Sequence, residues 1–406
     1  MGNCVPNLDC FVPSRLNPND RAQLNERQNA PVRFFITGLG SAGKTTILRQ
    51  LLLLCKDKWC YRLCDEDWRE IVESTETEED ERNEVWISVI RRNVLDSFDV
   101  LIKQLRINEV DFPDEQDRQF SKHIRELCDG FTDEYVDIDL KMDLKTFTSS
   151  LIRILQTNEI QTVWLKRNTI DVGQKKLADG IERFMNSKKI KEVFSENYVV
   201  TDRDKIHCRR PTDGMNVFRI MINKVRIELT DVGGQPAERS KLMDHLATWA
   251  HGYSDSYNFL LLVVPISEFN IQHPVYEGTL LDESFEFMKV LLSQPVVRHC
   301  GLYIFFNKSD RFKEKLSDPD CRIEMSSYLA TYLTDQQMER FEHGKLKNND
   351  VRDAITNQFR EEIDRNNRRR RNDYIRHTCA LDTHQMEAIF NVIRQEVVND
   401  GRNFFL

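Results

Sequence analysis

The sequence lacks any hydrophobic run long enough to cross a lipid bilayer. Its longest apolar stretches, such as residues 259–266, fall well short of the roughly 20 residues that a membrane-spanning helix needs. The first 30 or so residues also lack the apolar core of a secretory signal. We therefore expect the chain to remain in the cytosol, where thiols stay reduced.

An excess of positive charge and a zinc-binding cysteine pattern are also absent. The formal net charge is −8, which argues against nucleic acid as the main ligand. The 10 cysteines form no CxxC pair, so the cluster Cys55, Cys60 and Cys64 fits zinc poorly and we assign no metal there. What is present is 406 residues, 40% apolar and 31% charged, a globular composition long enough for two domains.

Strand and helix patterns alternate through much of the chain and predict a mostly parallel α/β sheet with helices on both faces. Val32–Thr37 is predicted as a buried strand, residues 38–43 as a glycine-rich turn and residues 44–55 as a helix. Further strands are predicted at 215–222, 225–230, 258–264, 302–306 and 374–378, with helices at 280–292, around 323–333 and at 386–398. The first two of these strands form a hairpin that we expect to supply an antiparallel edge.

The stretch between the first helix and Arg209 has few strand signals and is too long for a plain loop, which predicts an inserted helical domain. Apolar residues from Trp86 to Leu105 recur every three or four positions, as on one face of a long helix. We interpret the acidic stretch 73–84 as a solvated loop and leave the basic run 368–371 open between a loop and a binding patch. The predicted boundaries are 1–30 for an N-terminal segment, 31–55 and 209–406 for the α/β domain, and 56–208 for the insert.

Residues 38–45, GLGSAGKT, match the phosphate-loop pattern GxxxxGK[ST] between a strand and a helix. The glycines let backbone N–H groups turn inward around a phosphate chain, and the helix N-terminus adds partial positive charge. Lys44 then reaches the β- and γ-phosphates, while the Thr45 hydroxyl binds Mg²⁺. ATPases and small-molecule kinases share this loop, so it does not identify the base.

Two later loops favour guanine. Residues 307–310, NKSD, follow a predicted strand at the edge of the sheet where ligands of such folds bind. The Asp310 carboxylate can accept hydrogen bonds from the ring N–H and the exocyclic amine of guanine, which adenine lacks on that edge. Residues 378–380, TCA, can present a backbone N–H to the guanine carbonyl.

Residues 231–235, DVGGQ, supply the groups expected beside the phosphate that is cleaved. Asp231, at the end of a predicted strand, can hold Mg²⁺ through water, and a glycine there lets its backbone N–H approach the γ-phosphate. Gln235 would then lie beside that phosphate. The sequence therefore predicts nucleotide hydrolysis.

The motifs GLGSAGKTT, RRPTDG, DVGGQ, FFNKSD and TCA occur in the order found in the alpha subunits of heterotrimeric G proteins. The chain resembles that family over nearly its whole length, which implies a Ras-like P-loop GTPase domain, an inserted all-α domain, and GTP/GDP and Mg²⁺ as cofactors. By this resemblance Arg209 is a built-in arginine finger, Gln235 orients the attacking water, and Thr212 joins Thr45 and Asp231 at Mg²⁺. The implied nucleotide-binding residues are Gly38, Leu39, Gly40, Ser41, Ala42, Gly43, Lys44, Thr45, Thr46, Ile206, Arg209, Thr212, Asp231, Gly234, Gln235, Asn307, Lys308, Asp310, Cys379 and Ala380.

The chain departs from the family pattern close to the phosphate. Ser41 stands where the family usually has glutamate, so an acid–arginine latch to Arg209 is missing. Pro211 and Asp213 flank Thr212, and Pro236 follows Gln235, at positions where the family has other residues. The fixed φ of a proline and an extra carboxylate near Mg²⁺ can alter closure of the switch. We therefore expect altered hydrolysis or GDP release.

The resemblance also implies acylation at Gly2 and Cys4, although Pro6 stands where MGxxx[ST] has serine or threonine. One myristoyl chain binds membranes only marginally, so we expect both groups and a location at the cytoplasmic face of the plasma membrane. The resemblance also implies an N-terminal helix that binds a beta–gamma dimer. Prolines interrupt the N-terminal segment, so only residues 20–29 are predicted to form such a helix.

The other implied partners are a G-protein-coupled receptor, which would contact the last helix and residues 403–406, and an effector protein. We expect no nucleic acid partner. Residues 239–250 are predicted as the second switch. Its apolar side chains Leu242, Leu246 and Trp249 suit either a partner surface or core packing.

We therefore expect a GTP-binding and GTP-hydrolysing switch that transduces signals from receptors to effectors. One alternative is a nucleotide-dependent signalling adaptor with little or no hydrolysis. Another is a P-loop ATPase or kinase, which Asp310 and the missing acceptor-substrate site oppose.

Overall fold

The computed structural model describes residues 30–71, 76–132, 138–170, 177–210, 212, 214–234, 236–251, 257–273, 275, 277–366 and 373–403. Several predicted features lie outside these residues and stay predictions: Gly2 and Cys4, the helix at 20–29, Pro211, Asp213, Gln235, the basic run 368–371 and the tail 404–406.

The described residues contain one seven-stranded sheet. Its strands are β1 (Val32–Thr37), β2 (Tyr61–Cys64), β3 (Met215–Ile222), β4 (Val225–Val232), β5 (Tyr257–Pro265), β6 (Gly301–Asn307) and β7 (Asp373–His377). They lie in the order β2-β3-β4-β1-β5-β6-β7. All neighbours from β4 to β7 are parallel, whereas β3 is antiparallel to both β2 and β4. The predicted mostly parallel α/β sheet is confirmed.

Strand β2 corrects two sequence predictions. It lies inside the range 56–208 assigned to the insert, yet it pairs with β3 from Tyr61 opposite Ile222 to Cys64 opposite Arg219. The outer strand is therefore β2 and not the predicted hairpin, and the sheet-forming part of the chain extends beyond residue 55. Four residues with only Tyr61 and Cys64 buried give too short a pattern to be recognised as a strand.

Fourteen helices are found in the described parts of the chain. They are α1 (Lys44–Asp57), α2 (Glu76–Ile107), α3 (Glu115–Asp129), α4 (Leu144–Leu155), α5 (Asn158–Leu165), α6 (Ser187–Val193), α7 (Asp202–Ile206), α8 (Pro236–His251), α9 (Leu280–Ser293), α10 (Ser309–Ser317), α11 (Pro319–Leu329), α12 (Asp335–Glu342), α13 (Asn348–Arg365) and α14 (Thr383–Asn403). None of them is both long enough and apolar enough to cross a membrane.

The central strand β1 has hydrophobic cores on both of its faces. Phe34 and Ile36 point into a cluster with residues of α1 and α14, such as Leu51 and Phe390. Phe35, on the opposite face, belongs to a second cluster that includes residues of α8, α9 and α13. Since side chains alternate along a strand, the consecutive apolar residues Phe34, Phe35 and Ile36 predict helices on both faces of β1, and this is what the structure shows.

Helix α8 settles the two interpretations of the predicted second switch for the described side chains. Leu242, Leu246 and Trp249 are 2%, 0% and 6% exposed and lie in the core. The partner-surface interpretation is wrong for these side chains, and core packing is correct. Arg33 fixes the end of the helix, because its Nη1 donates to the Trp249 carbonyl at 2.9 Å.

Helices α2 to α7 form the insert around a separate core. The predicted apolar face of α2 is confirmed, with Ile90, Val94 and Phe98 fully buried. Residues 76–84 form the first turns of this helix, so the loop interpretation is wrong for that part of the acidic stretch. The packing of the residues that follow stabilises the helix more than repulsion between the acidic side chains destabilises it.

Candidate functional site

A cleft of about 750 Å³ lies at the carboxyl end of the sheet, with the insert forming its other wall. This is the position at which open α/β sheets bind ligands, and the volume is in the range typical of small-molecule sites. The described candidate residues that line it are Gly40, Ser41, Ala42, Gly43, Lys44, Thr45, Thr46, Ile206, Arg209, Thr212, Gly234, Asn307, Lys308, Asp310, Cys379 and Ala380.

The predicted phosphate loop between β1 and α1 has the backbone that its glycines allow. Gly38 has φ 145°, and a Cβ there would lie 2.3 Å from the Val263 carbonyl oxygen. Ser41 adopts the left-handed region with φ 63°, which is rare for a non-glycine residue. The buried Lys44 ammonium folds over the loop and donates to the carbonyls of Gly38 at 2.8 Å and Leu39 at 3.0 Å.

Asn307 joins the phosphate loop to the loop after β7. Its Nδ2 donates to the Ala42 carbonyl at 2.8 Å. Its Oδ1 accepts from the Ala380 backbone N–H at 2.9 Å and from the Thr378 hydroxyl at 3.1 Å. Because Asn307 is only 2% exposed, these bonds are shielded from water and hold the two loops at a fixed separation.

Asp310, in the first turn of α10, lies beside the loop formed by residues 378–380. Burial, and then the charge of the Asp310 carboxylate, raise the pKa of the Cys379 thiol to about 12. The two predicted base-contacting elements therefore meet at one end of the cleft, and the thiol between them stays protonated at neutral pH.

Three oxygen-bearing side chains meet at the other end, and their donor set fits Mg²⁺. The Thr45 hydroxyl is 2.5 Å from the Thr212 hydroxyl and 3.3 Å from Asp231 Oδ2. Asp231 is 1% exposed, and its Oδ1 has no hydrogen-bond partner among the described residues. Burial raises the pKa of this carboxyl to about 6, against the opposing charge of Lys44. One carboxylate with hydroxyls is a typical protein contribution to a Mg²⁺ site, which nucleotide phosphates and water complete.

Gly234 lies against the phosphate loop. A Cβ at this position would be 2.2 Å from the Lys44 ammonium and 2.7 Å from the Gly38 carbonyl oxygen. Only glycine lets the backbone come this close. The backbone of residue 234 is therefore next to the position that a terminal phosphate would take.

Charged pairs between the insert and the α/β domain cross the cleft, and no motif in the sequence predicts them. Lys308 contacts Asp179 of the insert at 2.8 Å and Glu268 at 2.7 Å. Burial alone would lower the pKa of Lys308, but these two carboxylates outweigh it and raise the pKa. Further cross-cleft pairs join Arg311 to Glu182 at 3.1 Å and Arg167 to Glu314. Residues 167–182 carry no recognisable motif, so nothing in the sequence pointed to them.

We expect Asp179→Ala to speed release of bound nucleotide by about 5-fold. The ion pair joins the buried Lys308 to the partly exposed Asp179, and a loss of about 1 kcal/mol, the upper end for partly exposed pairs, corresponds to that factor. Lys308 keeps its Glu268 partner, so the core is preserved. Release of a fluorescent GDP analogue measures the rate. Glu286→Ala, which removes an exposed ion pair to Lys289 within α9, is the matched control, and equal rates in the two variants would contradict the expectation.

Comparison with known proteins gives one consistent result. The model of the family described as G-protein alpha subunit matches residues 13–397. The chain is 26% identical to the guanine nucleotide-binding protein alpha-6 subunit of Caenorhabditis briggsae, over 94% of this chain and 90% of that protein. It is 22% identical to the alpha-9 subunit of Dictyostelium discoideum, over 93% of each chain. It is 26% identical to the G(s) subunit alpha of Geodia cydonium, over 72% of this chain and 67% of that protein.

Proposed function

The chain belongs to the G-protein alpha subunit family, and from this membership we propose roles for the individual residues of its cleft. The protein is a GTP-binding and GTP-hydrolysing alpha subunit of a heterotrimeric G protein, with a Ras-like GTPase domain and a helical domain. Neither an ATPase or kinase nor an adaptor without hydrolysis is favoured by the family match.

The observation that supports Mg²⁺ most directly is the buried Oδ1 of Asp231, which lies beside two hydroxyl groups and has no hydrogen-bond partner among the described residues. An unpaired buried carboxylate oxygen is costly unless a cation or donor completes it. We assign Thr45, Thr212 and Asp231 to hold Mg²⁺, which when bound neutralises charge on the β- and γ-phosphate oxygens. Lys44 and the backbone N–H of Gly234 would bind the same phosphates.

For hydrolysis, Arg209 supplies the guanidinium that stabilises charge on the transferring phosphate, and Gln235 orients the attacking water. The position of Arg209 supports this role, because its exposed side chain lines the cleft. Thr212 binds Mg²⁺ and Gly234 binds the γ-phosphate when GTP is bound, so hydrolysis releases both segments. The GTP-bound conformation of these two segments binds an effector, and their release ends that binding.

Mg²⁺ should increase the affinity for GTP, and we expect Thr45→Ala to reduce that increase by about 10-fold. The reason is that the Thr45 hydroxyl contacts both Thr212 and Asp231. Equilibrium binding of a slowly hydrolysed GTP analogue with Mg²⁺ and with a chelator measures that increase. Thr148→Ala, at a buried threonine of α4, is the control. An undiminished gain from Mg²⁺ in Thr45→Ala would rule out the assignment.

We propose that Gly2 and Cys4 carry myristoyl and palmitoyl groups, which together hold the protein at the cytoplasmic face of the plasma membrane. A single myristoyl chain gives a binding constant of only about 10⁴ M⁻¹. Metabolic labelling should therefore lose one label in Gly2→Ala and the other in Cys4→Ser, with each variant less abundant in the membrane fraction. Unchanged membrane recovery of both variants would refute the proposal.

Members of this family interact in general with receptors, beta–gamma dimers and effectors. We propose that α14 carries the receptor signal, since Gln385 in its first turn accepts from the Cys379 backbone N–H at 2.5 Å. Movement of α14 would then displace the base-contacting loop. The effector surface cannot consist of Leu242, Leu246 and Trp249, which are buried in the core.

A further inference from the structure

Asn93, on helix α2 of the insert, holds the main chain of Arg209 on both sides of its Cα. Its Oδ1 accepts from the Arg209 backbone N–H at 2.7 Å. Its Nδ2 donates to the Arg209 backbone carbonyl at 2.8 Å. The two bonds form a reciprocal pair with a single residue, which restrains both peptide groups that flank it.

The amide of Asn93 is itself fixed. Its Nδ2 also donates to the Val89 carbonyl, one turn earlier on α2, at 2.8 Å. The side chain is 8% exposed and stands between the buried residues Ile90 and Val94. An amide in such surroundings is costly unless it is hydrogen-bonded, so the reciprocal pair has a strong reason to persist.

The segment around Arg209 is held at two more points. Arg49 of α1 donates through Nη1 to the carbonyls of Lys205 at 2.7 Å and Cys208 at 2.8 Å. The guanidinium groups of Arg49 and Arg210 both lie over the ring of Trp86, at 4.8 Å and 5.2 Å from its centroid. Trp86 is also on α2, so the helix that carries Asn93 contacts the chain on both sides of the arginine.

We propose that Asn93 is a positioning residue for GTP hydrolysis, which fixes the Arg209 backbone so that the guanidinium reaches the transferring phosphate. This rests on the role proposed above for Arg209. Asn93 does not line the cleft, so it acts only through the arginine. A flexible arginine side chain reaches one place reproducibly only if its Cα is fixed, and a misplacement of about 1 Å costs on the order of 10²-fold in rate.

The first test measures single-turnover hydrolysis, as the rate constant per bound GTP, in the full chain. Asn93→Ala should slow hydrolysis by about 10²-fold while GTP affinity changes by less than about 3-fold, since no nucleotide contact is lost. Asn93→Asp, which keeps the acceptor for the Arg209 N–H, should recover part of the rate. Ser121→Ala, which removes a buried hydroxyl of α3 far from the cleft, should hydrolyse GTP at the wild-type rate.

The second test places Asn93→Ala in an Arg209→Ala background. If Asn93 acts through the arginine, the double variant hydrolyses GTP no more slowly than Arg209→Ala alone. The proposal is overturned if Asn93→Ala lowers the hydrolysis rate by the same factor in the wild-type and Arg209→Ala backgrounds. It is also overturned if Asn93→Ala alone leaves the rate unchanged. If Arg209→Ala itself leaves the rate unchanged, the role of the arginine fails first and this inference with it. Because each rate is normalised to bound GTP, partial unfolding of a variant does not obscure the result.

Discussion

Replacing Arg209 by alanine is expected to slow single-turnover GTP hydrolysis by about 10³-fold or more, because arginine fingers of this class are typically worth about 10³–10⁵ in rate. The guanidinium is needed only when charge develops on the transferring phosphate, so GTP affinity should change little. The position of Arg209 at the cleft, with its backbone tied to α2, is consistent with this division between binding and catalysis.

The matched control is Arg203→Ala, which removes an exposed arginine of α7 that does not line the cleft. It should hydrolyse GTP at the wild-type rate. A wild-type rate in Arg209→Ala, or a parallel loss of GTP affinity and rate, would show that the arginine does not act in the transition state.

Replacing Asp310 by asparagine is expected to weaken GTP binding by about 10²–10⁴-fold. The carboxylate would accept two hydrogen bonds from guanine, and bonds to a charged group are worth about 1.5–3 kcal/mol each. An asparagine presents a donor where guanine also presents a donor, so at least one bond is lost and a repulsive contact is made. Competition between GTP and ATP for the purified protein measures the change.

Asp335→Asn is a close control, because Asp335 and Asp310 are both aspartates in the first turn of a helix, and only Asp310 lines the cleft. Affinity for ATP should stay weak in every variant. If Asp310→Asn bound GTP as the wild type does, the base would have to be recognised elsewhere and the preference for guanine would lose its physical basis.

The features that the sequence predicted well are those that depend on a short run of neighbouring residues. The phosphate loop needs glycines at particular φ values, as Gly38 and Gly43 show. Parallel strands end at one edge of the sheet, so residues that follow β1, β4, β6 and β7 had to meet there. The part of α2 from Trp86 to Leu105 followed from apolar spacing alone.

The features that the sequence did not predict depend on contacts between distant segments. Asn93 and Arg209, or Asp179 and Lys308, come together only when the insert packs on the sheet, and no local pattern marks such a pair. Strand β2 is too short to show periodicity. The burial of Trp249 depends on which face of α8 packs against the sheet. The hydrogen bond from Arg33 of β1 to the Trp249 carbonyl helps to fix that orientation.

The most direct test of GTP hydrolysis by this protein is a single-turnover experiment with γ-labelled GTP, Mg²⁺ and the purified chain. Bound GTP should be converted to GDP and phosphate without any added partner, at a rate that the departures at Ser41, Pro211, Asp213 and Pro236 shift from that of ordinary family members. Tight, Mg²⁺-dependent GTP binding with no release of phosphate would contradict this expectation and would indicate a nucleotide-dependent adaptor instead.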